Sequence, residues 1–165
     1  MPYTVWVGRK TGVFETWEET KELVLGYPGA KFKKFKTIDD ALQAYYGYHP
    51  VDIYADASYR NGKLIVRVTD QNGKILHQDM FGVQVNAINI GEFIAAIRAL
   101  SLSNGTVGTD SQVAYDWIQR GVVNTKMLLP DTLQKALDEA LAWRQANPEC
   151  RHRLKKIDRA FNLAD

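Results

Sequence analysis

Apolar and polar positions alternate with period two in several short runs, separated by stretches with helical spacing. "YTVWVGRKTGVF" reads as two strands joined through "GRKTG". Thr16 and Glu19 then form a capping box, and Leu23 and Val24 supply the apolar face of a first helix. "YPGA" ends that helix, because Pro and Gly interrupt it. "KFKKF" follows as a strand, with Phe32 and Phe35 as core positions. Thr37 and Asp40 open a second helix that turns Ala41, Leu42 and Tyr45 inward. Residues 1–47 thus predict a small α+β unit: a three-stranded antiparallel sheet with two helices.

A second unit, 51–165, starts with the strand "VDIYADAS" and a turn. "KLIVRVTD", "QNG" and "KILHQDMFG" read as a hairpin with an Asn-Gly turn. A helix is predicted from about Gly91 to Ser103, then a buried strand "TVGTD". Helices follow over Ser111 to about Arg120 and Pro130 to Gln145, and "HRLKKI" is a last strand. Antiparallel strands followed by alternating helices and strands predict an α/β mixed sheet with helices on its faces. The joint between the units is only about "GYHP", which predicts a restricted mutual angle. No repeat and no low-complexity tract interrupts this order.

Composition narrows the class. The 165 residues are 45% hydrophobic, enough for one ordinary core or a small and a medium one. The net charge is only +2, so any basic patch is local, as in "KFKKF". A single cysteine excludes an internal disulfide framework. No apolar run approaches a membrane span, and "MPYTVWVGRK" lacks the pattern of a signal peptide. The reading is a cytoplasmic protein with no membrane partner and no obligate protein partner.

Four carboxylates stand out by position. Asp56 ends the first strand of the second unit, Glu92 opens a helix, Asp110 ends "TVGTD", and Asp165 is the last residue. Ligands collect beyond strand ends in open α/β sheets. If the strands carrying Asp56 and Asp110 are neighbours, these two lie side by side, and Glu92 reaches the same place. Carboxylates so grouped cannot all stay ionised without a cation, and hard oxygen ligands suit magnesium or manganese. Two such ions can activate a water and stabilise the leaving oxygen of a phosphodiester. Taken singly, each residue also has a plain structural use. A strand-end Asp can form a turn, Glu92 can complement a helix dipole, and Asp110 can cap the next helix.

The first unit resembles the hybrid-binding domain of type 1 ribonucleases H and of caulimovirus viroplasmin proteins. Tyr3, "GRKTGVF", Trp17, "YPGAKFKKF" and Asp40-Ala41 carry the resemblance. The second unit is similar to a type 1 ribonuclease H catalytic domain through "YADAS", "NIGEFIAAIRAL", "TDSQVAYDWI" and the final "AD". The resemblance implies an endonuclease that hydrolyses the RNA strand of RNA–DNA hybrids by a two-metal-ion mechanism. The products would be 5′-phosphate and 3′-hydroxyl ends. Two Mg2+ ions, replaceable by Mn2+, would be held by Asp56, Glu92, Asp110 and Asp165. Asn89 falls where the family touches RNA, and Thr125 where it often has a hydroxyl for a DNA phosphate. Tyr3, Trp17, Lys33 and Lys34 match contacts to the DNA strand. Arg9, Lys10, Thr11 and Gly12 lie in the loop matching the RNA minor-groove contact. The implied partner is an RNA–DNA hybrid, with double-stranded RNA as a second duplex.

Three features depart from the family pattern. Ala57 stands where the family usually has Gly. Phe161, four before Asp165, stands where it has a polar residue. Asp165 ends the chain, where a side chain tends to fray. His152, expected in the last strand, reads as structural, and Asp158 is a substitute for the family's usual residue before the last Asp. These departures leave an alternative in a different class: a non-catalytic protein that binds hybrid or double-stranded RNA through a degenerate ribonuclease H-like domain.

Overall fold

The computed structural model describes residues 1–47 and 50–165; Tyr48 and His49, in the predicted joint, lie outside the described residues. The chain divides into two compact units, Met1–Pro50 and Val51–Asp165.

In the first unit, β1 (Tyr3–Val7) lies between β2 (Gly12–Phe14) and β3 (Lys31–Lys34), antiparallel to both. Side chains of β1 alternate between two faces. Thr4 and Trp6 donate to the Ala41 and Ala44 carbonyls of α2 (Ile38–Tyr46), at 2.8 and 3.0 Å. Tyr3, on the other face, packs on Trp17, the first residue of α1 (Trp17–Val24). Both predicted N-caps form: Thr16 accepts from the Glu19 N–H, and Thr37 from that of Asp40. Two expected core positions are wrong. Phe32 is 40% exposed and Leu42 is 37% exposed. Two short helices and three strands cannot enclose every apolar side chain, and Phe32 instead lies against Trp17.

The second unit is a five-stranded mixed sheet in the order β6-β5-β4-β7-β8. β4 (Ile53–Arg60), β5 (Lys63–Asp70) and β6 (Ile75–Gly82) form an antiparallel meander. β7 (Val107–Thr109) and β8 (Leu154–Lys156) run parallel to β4. The first strand is longer than the sequence suggests. It continues to Arg60 and turns at Asn61-Gly62, both left-handed with φ of 53° and 76°. That Asn-Gly pair makes the first of two consecutive hairpins. The second turn is held by Asp70, whose Oδ1 accepts from the N–H groups of Asn72 and Lys74.

Helix α3 (Ile88–Leu102) packs on β4 and β5, α4 (Gln112–Arg120) against β7 and β8, and α5 (Asp131–Ala146) against α3. α3 starts at Ile88, before the predicted Gly91, so Glu92 lies inside the helix rather than opening it. Among its residues, Ile90 to Ile97 are all buried. His152 lies in a 3-10 helix, Pro148–Arg153, and not in the last strand. The preceding Pro and the short β8 leave no room for a longer strand.

Gly91 decides how closely α3 approaches the sheet. A Cβ there would stand 2.7 Å from Leu64 Cδ1 and 3.0 Å from the Ala57 Cβ. The methyl of Ala57 therefore fills the space that Gly91 leaves free. A Gly91→Val substitution should cost on the order of 2–3 kcal/mol, as overpacking against the fully buried Leu64. Urea unfolding of the two chains checks this; equal midpoints and slopes would contradict it.

Candidate metal centre and nucleic-acid surface

The parallel β4–β7 ladder stops at Ala55↔Thr109. The next residues along the two segments are Asp56 and Asp110. Asp56 thus lies inside β4 rather than at its end, since the strand continues with β5 alone. The site forms where β4 loses one of its two neighbours. Glu92 reaches the same spot from α3, and the Ala57 N–H donates to its carboxylate. One oxygen each from Asp56, Glu92 and Asp110 lies within 4.8 Å of the others.

Burial sets the electrostatics. Asp56 and Glu92 are 5% and 7% exposed. Desolvation, then the neighbouring Asp110 charge, pushes the Asp56 carboxyl up to about 7, though its hydrogen bond with Glu92 pulls it back partway. Desolvation and the charges of Asp56 and Asp110 push Glu92 up to about 9. Asp110 is raised too, chiefly by burial, while the Asn162 side chain and the nearby Arg159 and Lys156 pull it down. Among the described residues, Glu92 Oε2 and Thr69 Oγ1 are buried side-chain oxygens without a hydrogen-bond partner. A buried, unpartnered carboxylate oxygen among anionic neighbours is a costly arrangement. A hard divalent cation would satisfy it, so these donors fit magnesium or manganese.

Asp165 stands beside this group but not in it. It lines a small cavity of about 50 Å³ with Asp56, Ser58 and Arg67. Its carboxylate faces Arg159, with Nε to Oδ2 at 3.2 Å and Nη2 to Oδ1 at 3.4 Å. The segment carrying it crosses the sheet face opposite α3. There Ile157 and Ala164 pack with Tyr54 and Val51. Gly108 permits this crossing, since a Cβ would meet Ile157 Cδ1 at 2.8 Å and Val51 Cγ2 at 2.9 Å.

Asn162 was not singled out by the sequence reading, yet it ties the site together. It is 6% exposed. Its Nδ2 donates to the Ala55 carbonyl at 2.9 Å and to Asp110 Oδ2 at 3.2 Å, and its Oδ1 accepts from the Ala164 N–H. One amide thus joins β4, the end of β7 and the C-terminal segment. Asp110 is not the cap of the following helix; Ser111 fills that role, its Oγ accepting from the Ala114 N–H.

Asn89 and Thr125 come together. Both line a cavity of about 100 Å³ with Asn86, Asn124, Trp117 and Met127.

In the first unit, Tyr3, Trp17 and Phe32 form a row of rings, with centroid spacings of 5.4 and 5.9 Å. Trp17 is 37% exposed, so the row faces solvent in part. Lys34 pairs with Tyr3 across the sheet and shares its face. Lys33 points the other way, over the Phe35 ring at 5.3 Å. Arg9 is engaged within the protein: its Nη1 donates to the Glu22 and Leu25 carbonyls at the end of α1, at 3.0 and 2.7 Å. Thr11 Oγ1 lies 3.1 Å from the Tyr45 hydroxyl. Gly12 holds a φ of 139°, which favours glycine, and Lys10 is exposed.

Residues 2–45 match the family model described as "Ribonuclease H1 N-terminal domain". The first unit is similar to that domain. Ribonuclease H1 of Homo sapiens is 56% identical over 41 residues, which are 25% of this chain and 14% of that protein. Ribonuclease H of Crithidia fasciculata is 44% identical over 48 residues, 29% of this chain and 10% of that protein. The aligned part of the chain therefore spans about a tenth to a seventh of those relatives. Among solved structures, LC11-RNase H1 in complex with RNA/DNA hybrid aligns with 68% of this chain and 88% of its own, at 23% identity and TM-score 0.38. RNase H1 from Halobacterium salinarum NRC-1 aligns with 69% and 89%, at 18% identity and TM-score 0.38.

The raised carboxyls set a pH dependence for the metal-free protein. Asp56 and Glu92 hold protons in the folded state that the unfolded chain releases near its ordinary carboxyl values. Their stabilising effect is complete below about pH 4, where carboxyls of the unfolded chain are protonated. It is lost as pH rises through the folded values of about 7 and 9. The melting temperature in EDTA should fall between pH 5 and 9, and Asp56→Asn should flatten that fall. An unchanged slope in the variant would contradict the assignment.

Proposed function

We propose that the chain is an endonuclease that hydrolyses the RNA strand of RNA–DNA hybrids. The observation that carries the proposal is the grouping of buried Asp56 and Glu92 with half-buried Asp110, with Glu92 Oε2 unpartnered. With Asp165 beside them, these residues would hold two Mg2+ ions, or Mn2+ in their place. Bound there, the ions would supply an activated water and charge neutralisation at the leaving 3′ oxygen, giving 5′-phosphate and 3′-hydroxyl ends.

The chain's own residues account for the rest. Asp56 would serve both ions; in support, it shares a cavity with Asp165 and an oxygen group with Glu92 and Asp110. Asn162 holds Asp110 and the C-terminal segment in register. The Ala57 N–H orients Glu92. Ala57 is therefore accommodated by Gly91, not a sign of decay, and this favours catalysis over a purely binding role. Asn89 would touch the RNA strand and Thr125 a DNA phosphate; in support, the two line one cavity.

The first unit supplies duplex selection. The partly exposed rings of Tyr3, Trp17 and Phe32 would offer an apolar surface to deoxyribose, where a 2′-hydroxyl would be left without a partner. Lys34 on the same face, with Lys10 on the adjoining loop, provides phosphate contacts and a salt-dependent affinity. Phe32 joins this surface because it is exposed, contrary to its expected place in the core. The likeness of residues 2–45 to ribonuclease H1 supports this reading.

Two experiments test it. Asp56→Asn should abolish cleavage of a hybrid while leaving its gel-shift affinity within about twofold of wild type; full activity would reject the metal centre. Trp17→Ala combined with Lys34→Ala should raise KM for the hybrid at least several-fold with kcat little changed, and should flatten the salt dependence of binding. An unchanged KM would remove the binding role of the aromatic face.

A further inference from the structure

The proposed metal centre includes Asp165, yet the structure turns this carboxylate toward a cation of the chain itself. Arg159 and Asp165 meet as a fork, with contacts of 3.2 and 3.4 Å that engage both carboxylate oxygens. Arginine presents a planar set of donors that suits a carboxylate in this two-point manner. The Arg159 side chain is 79% exposed and that of Asp165 is 37% exposed, so the pair is open to solvent exchange. Arg159 acts electrostatically on Asp56 and Asp110 as well as on Asp165. Asp165 stays outside the close set of Asp56, Glu92 and Asp110, although it lines the same small cavity as Asp56.

We infer that Arg159 is an internal counter-ion that competes with a divalent cation for Asp165, so that the ion needing Asp165 binds more weakly than the ion held by the other three carboxylates. The inference rests on the metal-centre reading above. The exchange requires only a side-chain movement. Asn162 anchors the segment at the Ala55 carbonyl and at Asp110, and Ala164 is buried against Tyr54, so the backbone around Asp165 is already in place. Release of Asp165 frees a guanidinium at the rim of the site, where an approaching phosphate is its natural second partner.

The test is a calorimetric titration of Mn2+ into the full chain, without nucleic acid, at fixed ionic strength. Wild type should show a tighter and a weaker binding event. Arg159→Gln should tighten the weaker event by about two- to fivefold, the range of an exposed ion pair, and leave the tighter one unchanged. Arg159→Lys, which keeps the charge but not the fork, should fall between them. Lys155→Gln, a loss of charge on the same segment, should match wild type. In an Asp165→Asn background, Arg159→Gln should have no effect on Mn2+ binding. Melting curves of the metal-free variants report that each is folded. Equal Mn2+ binding by Arg159→Gln and wild type would overturn the inference while leaving the metal centre intact. An equal gain from Lys155→Gln would also overturn it, by making the effect one of net charge. A wild-type chain that takes up no Mn2+ would reject the metal centre and this inference together.

Discussion

The carboxylates of Asp56 and Glu92 are buried beside one another, and the local structure is organised around the energetic cost of keeping them there. Water cannot solvate both; burial raises the proton affinity of each, and Asp56 raises that of Glu92 further, while the Glu92 hydrogen bond partly lowers that of Asp56. Such a pair persists only if the surrounding fold holds it firmly. The restraint comes from three directions. α3 is pressed onto β4 through the Gly91–Ala57 contact, the β4–β7 ladder ends just before Asp56 and Asp110, and Asn162 fastens the C-terminal segment across the gap. The site is an electrostatic tension that a hard cation would relieve.

The same fold keeps the tension from spreading. The face of β4 that carries Ile53, Ala55 and Ala57 belongs to a continuous apolar core with α3, α4 and α5. The opposite face carries Tyr54 under Ile157 and Ala164. Asp56, next along the Tyr54 face, is buried there, and that desolvation is the first cause of its raised carboxyl, with the Asp110 charge second. Two arginines, Arg144 buried and Arg153 half-buried, serve elsewhere as structural fasteners. Arg144 donates to the Ile118 carbonyl at 2.6 Å, and Arg153 to the carbonyls of Ser103, Gly105 and Leu100. These cations satisfy helix ends, whereas Arg159 and Lys156 act on the acidic group and Arg67 lines the cavity that holds Asp56 and Asp165.

Much of this was legible in the sequence, for stated reasons. Period-two alternation marked the strands, and side-chain capping at Thr16 and Thr37 marked the first two helices, because those signals are local. The adjacency of Asp56 and Asp110 followed once their strands were taken as parallel neighbours. Other features were not legible because they depend on contacts between distant segments. Asn162 bonds to Ala55, 107 residues away, and a single Asn has no pattern to announce that. Gly91 looked like a helix start because glycine lowers helix propensity, whereas tertiary contact decides its place inside α3. Phe32 looked like core because aromatic residues in a strand usually are, but this small unit leaves the ring in a solvent-facing row with Trp17. Arg9 lies in the loop that the resemblance matches to the RNA minor groove, and its role in closing the end of α1 depends on contacts with Glu22 and Leu25 that no local pattern marks.

The most direct test of the account uses one RNA strand, labelled at its 5′ end, annealed to DNA, annealed to RNA, or left single. Each form is incubated with the full chain in Mg2+, in Mn2+ and in EDTA, and the products are resolved by length and end chemistry. The account predicts internal cuts in the hybrid alone, dependent on a divalent ion, leaving 5′-phosphate and 3′-hydroxyl ends. A hybrid that is bound but left intact in both metals would contradict it.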